Sequence, residues 1–444
     1  MYMNSIKKKD IITCGFALFA IFFGAGNLIF PPYLGILAGN RWYEPMAGFF
    51  LTDPVLAITC TLIVFKLGGN ADDLWKRVGS KNFGKIFGVA LILMIGPLFP
   101  IPRTGAATHE LFTQTLFGEN IPYIVTSAIF FGITLWLAIN PSKVMDYVGN
   151  ILTPVLLIIL AVIAFKSFTS PPGQMVITNA TGLFSYGFKE GYQTMDGLLA
   201  AMVAGVINAD LIRRGYNDDK IKMKASIGIG LVAFVCLVLV YGSLSYAGAT
   251  AGEYFTADMP RTDLLMGVTS LLMGDMGKVA LGIATALACL TTSTGLVCVC
   301  GNYMETMSDN KLKYKVVVIA VTALSFLISL IGVEGIITIA APALTAMYPV
   351  IIILTFLSVF DKKIKYNWTY TGAVVGTLSA SVTEGLGLFG EIAGVNILAS
   401  LNGLVQMLPL SDLSLGWVIP SIIGSVIFTL ISKITKKGEY VTQN

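Results

Sequence analysis

The chain has 444 residues, 55% of them apolar and 12% charged, with a mean hydropathy of +0.79 and a formal net charge of +4. So little polar surface cannot coat a water-soluble globule of this size, so lipid must cover much of the chain. The basic balance does not indicate a nucleic-acid surface, because the positive residues are spread over short loops rather than gathered in a docking patch.

Apolar runs near the roughly 20 residues needed to cross a bilayer follow one another from Ile11 to Ile431. They divide into twelve spans: 11–38, 45–67, 84–109, 122–140, 147–168, 182–212, 224–247, 279–304, 315–333, 336–360, 369–390 and 415–433. Lys7-Lys8-Lys9 ahead of the first run imitates a signal peptide, but the run is long and lacks a convincing small-residue cleavage site, so it is read as a retained span.

Span 1 is interrupted by Gly24-Ala25-Gly26-Asn27 and then Pro31-Pro32, at or just beyond mid-membrane depth. Glycine lets the main chain approach closely, and a broken helix exposes N–H groups with partial positive charge, which suit a substrate carboxylate. The preceding half-helix would end in free carbonyls at about Ala20 to Phe23, which suit a hard cation such as Na+ or a substrate ammonium. The competing reading, a small-residue packing stripe, does not call for Asn27 or the two prolines. Between spans 2 and 3, Asn70 to Lys85 carries Leu74, Trp75, Val78 and Phe83 among charges, a pattern suited to a short amphipathic helix at the membrane interface.

Span 3 carries Gly96-Pro97-Leu98-Phe99-Pro100-Ile101-Pro102-Arg103-Thr104-Gly105, a second disrupted helix. Arg103 is too costly to face lipid and is expected to line a pathway or pair with an acid, which makes it a candidate for coupling or gating. Span 6 reads Lys189-Glu190-Gly191-Tyr192-Gln193-Thr194-Met195-Asp196. A charge at the bilayer centre costs about 2.5 to 3.5 kcal/mol, so Glu190 and Asp196 should face a cavity, a partner such as Lys189 or Arg103, or water, and both are candidates for coupling or gating. Gly191-Tyr192-Gln193-Thr194 offers main-chain groups and hydroxyls to an amino group. The stretch from Glu253 to Met276 is expected to fold back as a short helix or lid. Span 8 contains Thr291-Thr292-Ser293-Thr294, whose hydroxyls either bond back to their own helix or complete an all-oxygen cation site with the carbonyls of span 1.

Unwound backbone inside a bilayer is tolerated only where protein or water satisfies it, so breaks in spans 1 and 6 point to an internal cavity. Their separation by five spans fits an inverted repeat of five helices, about 11–168 and 182–360, with two helices appended at about 369–433, all in one transmembrane domain. With the N-terminus cytoplasmic, 23 of the 29 Lys and Arg residues fall on the inner side, which puts both termini there. His109 is the sole histidine, and there is no nucleophilic triad, metal-ligand cluster or phosphate-binding loop, so an enzyme is not indicated. A channel or membrane sensor is the reading from another class, and flux without saturation or counterflow would mark a channel.

Four motifs, Phe-Phe-Gly-Ala-Gly-Asn-Leu-Ile-Phe-Pro-Pro (22–32), Gly-Pro-Leu-Phe-Pro-Ile-Pro-Arg-Thr-Gly (96–105), Glu-Gly-Tyr-Gln-Thr-Met-Asp (190–196) and Cys-Leu-Thr-Thr-Ser-Thr-Gly-Leu (289–296), together resemble the BrnQ-type branched-chain amino acid carriers over almost the whole chain. The resemblance implies an all-α, LeuT-like transporter of the amino acid/polyamine/organocation superfamily. It would sit in a bacterial plasma membrane and take up leucine, isoleucine and valine with Na+ or H+ by alternating access. It implies that Gly24 to Asn27 and Gly191 to Thr194 cradle the substrate, and that oxygens near Ala20 and Phe23 with Thr291, Thr292 or Ser293 hold sodium. Apart from substrate, coupling ion and lipid, no cofactor or obligatory protein partner is implied. Pro100 departs from the small residue expected there.

Overall fold

The computed structural model describes residues 6–79, 81–139 and 144–436. Among the described residues every regular element is helical, and the helices account for all twelve expected spans. Span 1 is two half-helices, Lys8–Phe22 and Ala25–Ala38, and span 6 is Leu183–Tyr192 with Asp196–Arg213. Span 2 runs over Tyr43–Leu67, span 4 over Tyr123–Ile139 and span 5 over Val144–Thr169. Spans 7, 9, 10, 11 and 12 are Asp219–Thr250, Tyr314–Ser329, Gly332–Val359, Asn367–Ala393 and Val418–Thr435.

Span 3 begins at Lys81 and continues to Phe117, eight residues beyond its expected end, through wide turns at Met94–Leu98 and His109–Thr113. At the first of these, three prolines and Gly96, with φ −110° and ψ −112°, remove helical hydrogen bonds and force the irregularity. The element Arg261–Met307 is likewise two helices, because Gly274 sits at φ +70°. Its first part is the expected lid, held down by buried Leu264, Leu265 and Met266, and its second part is span 8. The expected interfacial helix is reduced to a turn, Asp72–Trp75, extended through Lys76–Val78. Leu74 and Trp75 are fully buried, and the Trp75 ring rests on Phe87, so this segment packs into the protein rather than into lipid headgroups.

Contacts between loops follow the parity that twelve spans require. On the face carrying the N-terminus, Tyr216 and Arg214, between spans 6 and 7, bond Asp10 at 2.6 and 3.0 Å, and Arg77 pairs with Asp361 at 2.9 Å. On the opposite face, Arg41 bonds the Ala180 carbonyl at 3.1 Å and Arg261 reaches Glu334 at 2.6 Å. Lys143 and Lys437 of the basic set lie outside the described residues.

Several helix pairs approach at backbone distance, and two of them hold the broken spans. A Cβ at Gly35 or Gly248 would collide with the main chain of Ser245 or Pro32, joining the second half of span 1 to span 7. A Cβ at Gly48 or Gly187 would collide with Phe184 or Pro45, joining span 2 to the first half of span 6. Small residues at helix crossings let lipid-embedded helices gain dispersion energy where no hydrophobic force draws them together.

Candidate functional site

The half-helices of span 1 meet at 72° and those of span 6 at 43°. At the first break Phe23 and Gly24 are extended, and the Gly24 N–H turns to the Phe22 carbonyl and to Asn27 Oδ1 at 3.3 Å. It therefore abandons the Ala20 carbonyl, its acceptor in a continuous helix. At the second break Met195 adopts the left-handed region at φ +64°, a conformation costly for a bulky residue. Hydrogen bonds surrounding it fix that turn. Thr194 donates to the Gly191 carbonyl at 2.8 Å, the Gln193 amide donates to the Ile337 carbonyl at 3.2 Å, and Gly197 N–H donates to the Tyr348 hydroxyl at 3.2 Å.

A small, partly open cavity lies between the breaks. Gly24, Gly26, Asn27, Arg103, Thr194 and Asp196 meet there, with Thr292 from span 8, and Ile21, Phe22, Ile95, Leu199 and Leu296 continue the wall toward the N-terminal face. Arg103 is 4% exposed and donates through Nη1 to the Gln193 carbonyl at 2.7 Å. Its other terminal nitrogen fills the place a Cβ at Gly26 would take, 2.6 Å from it. Among the described residues no carboxylate lies within ion-pair distance of this guanidinium. A buried, fixed donor fork on a cavity wall is suited to a carboxylate ligand.

Asp196 is also buried and accepts from Asn27 Nδ2 at 2.7 Å. The same nitrogen stands 2.6 Å from the Tyr241 hydroxyl and 3.5 Å from Asp53 Oδ2. Asp53 was missed when reading the sequence. It is completely buried in span 2, in the wide turn Leu51–Val55 that Pro54 helps create. The signal was available, since a lone acid in an apolar span carries the same insertion cost that singled out Asp196.

Other expected residues go elsewhere. Gly191 packs against Thr52 of span 2, and Tyr192 stacks on Tyr348 at 4.3 Å, so neither faces the cavity. The Ala25 side chain lies outside the described residues, and Ala20 and Phe23 border the break without lining the cavity. Thr291 and Thr294 donate back to Leu287 and Leu290, whereas the Ser293 hydroxyl is buried without a hydrogen-bond partner. Glu190 pairs neither with Lys189 nor with Arg103. Its partner is Arg261 of the lid at 2.8 Å, and Lys189 reaches Glu384 on span 11 at 2.7 Å. Arg261 is held there because it also stacks on Tyr33 at 4.1 Å and pairs with Glu334 at 2.6 Å, on the side of the breaks opposite the N-terminus.

Residues 7–435 match the family described as branched-chain amino acid transport protein. The chain is 38% identical to the branched-chain amino acid permease BraB of Bacillus subtilis (strain 168), with 96% of each chain covered. It is 32% identical to the branched-chain amino acid transport system 2 carrier protein of Pseudomonas aeruginosa, covering 98% of this chain and 99% of that one. Among solved structures it is similar to MhsT in complex with L-phenylalanine (TM-score 0.52, 14% identity, 96% and 98% covered). It is also similar to Mhp1 in its inward-facing conformation (TM-score 0.57, 11% identity, 98% and 96% covered). The fold is therefore the LeuT-like arrangement with broken helices 1 and 6, in a multi-pass membrane transporter rather than an enzyme, and the chain belongs to the branched-chain amino acid transport protein family.

Proposed function

We propose that this chain is a secondary active symporter that takes up leucine, isoleucine and valine with Na+ by alternating access. It would act in the bacterial plasma membrane with both termini cytoplasmic. One observation carries the reading: a buried guanidinium and a buried carboxyl, Arg103 and Asp196, line one cavity between two broken helices, matching the two charges of a zwitterion. The substrate carboxylate lies against Arg103 and the N–H groups of Ala25 and Gly26, and its ammonium against Asp196 and Thr194. The aliphatic side chain points along Ile21, Phe22, Ile95, Leu199 and Leu296. An apolar wall separates one methylene more or less by only about 1 to 3 kcal/mol, so three branched side chains can share it. Sodium is held by oxygens of Ala20, Phe23, Thr292 and Ser293. The unpartnered Ser293 hydroxyl supports this placement, while Thr291, bonded back to its own helix, contributes less.

Repeats at about 11–168 and 182–360 would alternate the cavity between the two faces. Purified protein in liposomes should accumulate labelled leucine under an inward Na+ gradient, with saturation and counterflow. Uptake indifferent to both Na+ and H+ gradients would sink the coupling. A proton-coupled carrier is the second reading, favoured by Asp196 at the break. Glu190 is less suited to that role because Arg261 holds it.

A further inference from the structure

The buried core around the two breaks has an unbalanced charge. Among the described residues, the charged side chains at the cavity and its immediate backing are Arg103 on span 3, Asp196 on span 6 and Asp53 on span 2. Tyr241 on span 7, Tyr348 on span 10 and Asn27 on span 1 face the same cluster and are neutral. Cys289 on span 8 is buried nearby, and Glu190 is engaged with Arg261. One positive and two negative groups leave one negative charge, and a zwitterionic substrate adds none. Leaving such a charge in a low-dielectric interior costs several kcal/mol unless something positive accompanies it. The oxygens converge on one side chain: Asn27 Nδ2 lies 2.7 Å from Asp196 Oδ2, 3.5 Å from Asp53 Oδ2 and 2.6 Å from the Tyr241 hydroxyl. Asp53 Oδ1, at zero exposure, has no hydrogen-bond partner. A buried carboxyl oxygen without a protein partner calls for a ligand, and beside a second carboxyl a small cation meets that need.

We propose that Asp53 and Asp196, with the Tyr241 oxygen, form a binding site for one monovalent cation, Na+ or H+, behind the substrate cavity and separate from the oxygens at the span 1 and span 8 contact. The site supplies the full negative charge that the second location lacks. Asn27 belongs to both the substrate break and this site, so it links cation occupancy to the shape of the first break. The inference rests on the zwitterion reading given above.

Labelled leucine is titrated against the full-length protein over a range of Na+ concentrations at fixed pH, with choline as replacement, and over a range of pH at fixed Na+. Linkage makes the slope of log affinity against log cation activity equal to the number of cations taken up with leucine. Asp53→Asn should lower that slope by about one, erasing a tenfold gain in affinity per tenfold rise in the cation concerned. Loss in the Na+ series identifies Na+, and loss in the pH series identifies H+. Tyr241→Phe keeps the ring against Phe23 and Phe49 and should shift the cation midpoint several-fold, so the test survives if Asp53→Asn does not fold. A wild type whose affinity ignores both cations overturns the proposal. Leucine binding with slope and midpoint unchanged in both variants overturns it while leaving the transport reading standing, whereas no leucine binding by the wild type removes both.

Discussion

At the scale of single residues, the cavity wall makes sharply different demands on neighbouring glycines. A Cβ at Gly24 would meet only Asn27 Oδ1 at 3.7 Å, while at Gly26 it would strike the Arg103 guanidinium at 2.6 Å. Gly24→Ala should therefore keep most leucine uptake, and Gly26→Ala should lose most of it, with both proteins inserting normally; equal uptake by the two would contradict the placement of Arg103. Arg103→Lys replaces a planar fork by a point charge and should weaken leucine binding about 10- to 100-fold, the loss of about 1.5 to 3 kcal/mol expected for a charged hydrogen bond. Isopentylamine, which has no carboxylate, should bind equally to both proteins. Arg103, Asp196 and the Gly24 to Asn27 break were all legible in the sequence because each is expensive in lipid. Asp53 obeys the same rule but stands as one acid in an otherwise apolar run, without the glycines or polar neighbours that mark the breaks in spans 1 and 6. Tyr241 had no signal of its own, because a tyrosine in a membrane helix is ordinary until its neighbours are known.

At the scale of elements, existence was readable and rotation was not. Apolar length located all twelve spans, and glycine, proline and charge located both breaks. Which face each residue presents depends on neighbours remote in sequence. Gly191 and Tyr192 were read as substrate contacts, but their helix turns them onto Thr52 and Tyr348, and only Thr194 of that run lines the cavity. The lid was legible as a segment, and its partners were not, since Arg261 joins Glu190 and Glu334 across 71 and 73 residues. That knot should dominate how firmly the helix starting at residue 261 is held. Arg261→Gln removes both ion pairs and the contact with Tyr33. It should raise hydrogen exchange in the helix starting at residue 261 at least several-fold, while the helix Asp196–Arg213 exchanges as before. Unchanged exchange in the lid would show that apolar packing of Leu264 and Leu265 holds it unaided.

At the scale of the whole molecule, the distribution of basic residues pointed to one inner face, and the loop contacts follow the same alternation, as Arg77 with Asp361 and Arg214 with Asp10 illustrate. Orientation in a membrane remains testable directly. Cysteines introduced at the exposed positions Lys311 and Glu253 should react with an impermeant maleimide from opposite sides of intact cells, Glu253 from outside; labelling of both from the same side would refute the twelve-span order.

The glycine contacts at Gly35 with Ser245, Gly248 with Pro32, Gly48 with Phe184 and Gly187 with Pro45 also constrain movement. With no side chains between the backbones there is no lubricating layer, so each pair behaves as a riveted lever rather than as two sliding rods. The rivets join the half-helix after the first break to span 7, and span 2 to the half-helix before the second. If the proposed alternating access holds, its stroke is expected to bend at Gly24 and Met195, the breaks between these riveted halves. Spin labels straddling a rivet should keep one separation through the cycle, and labels straddling a hinge should show two.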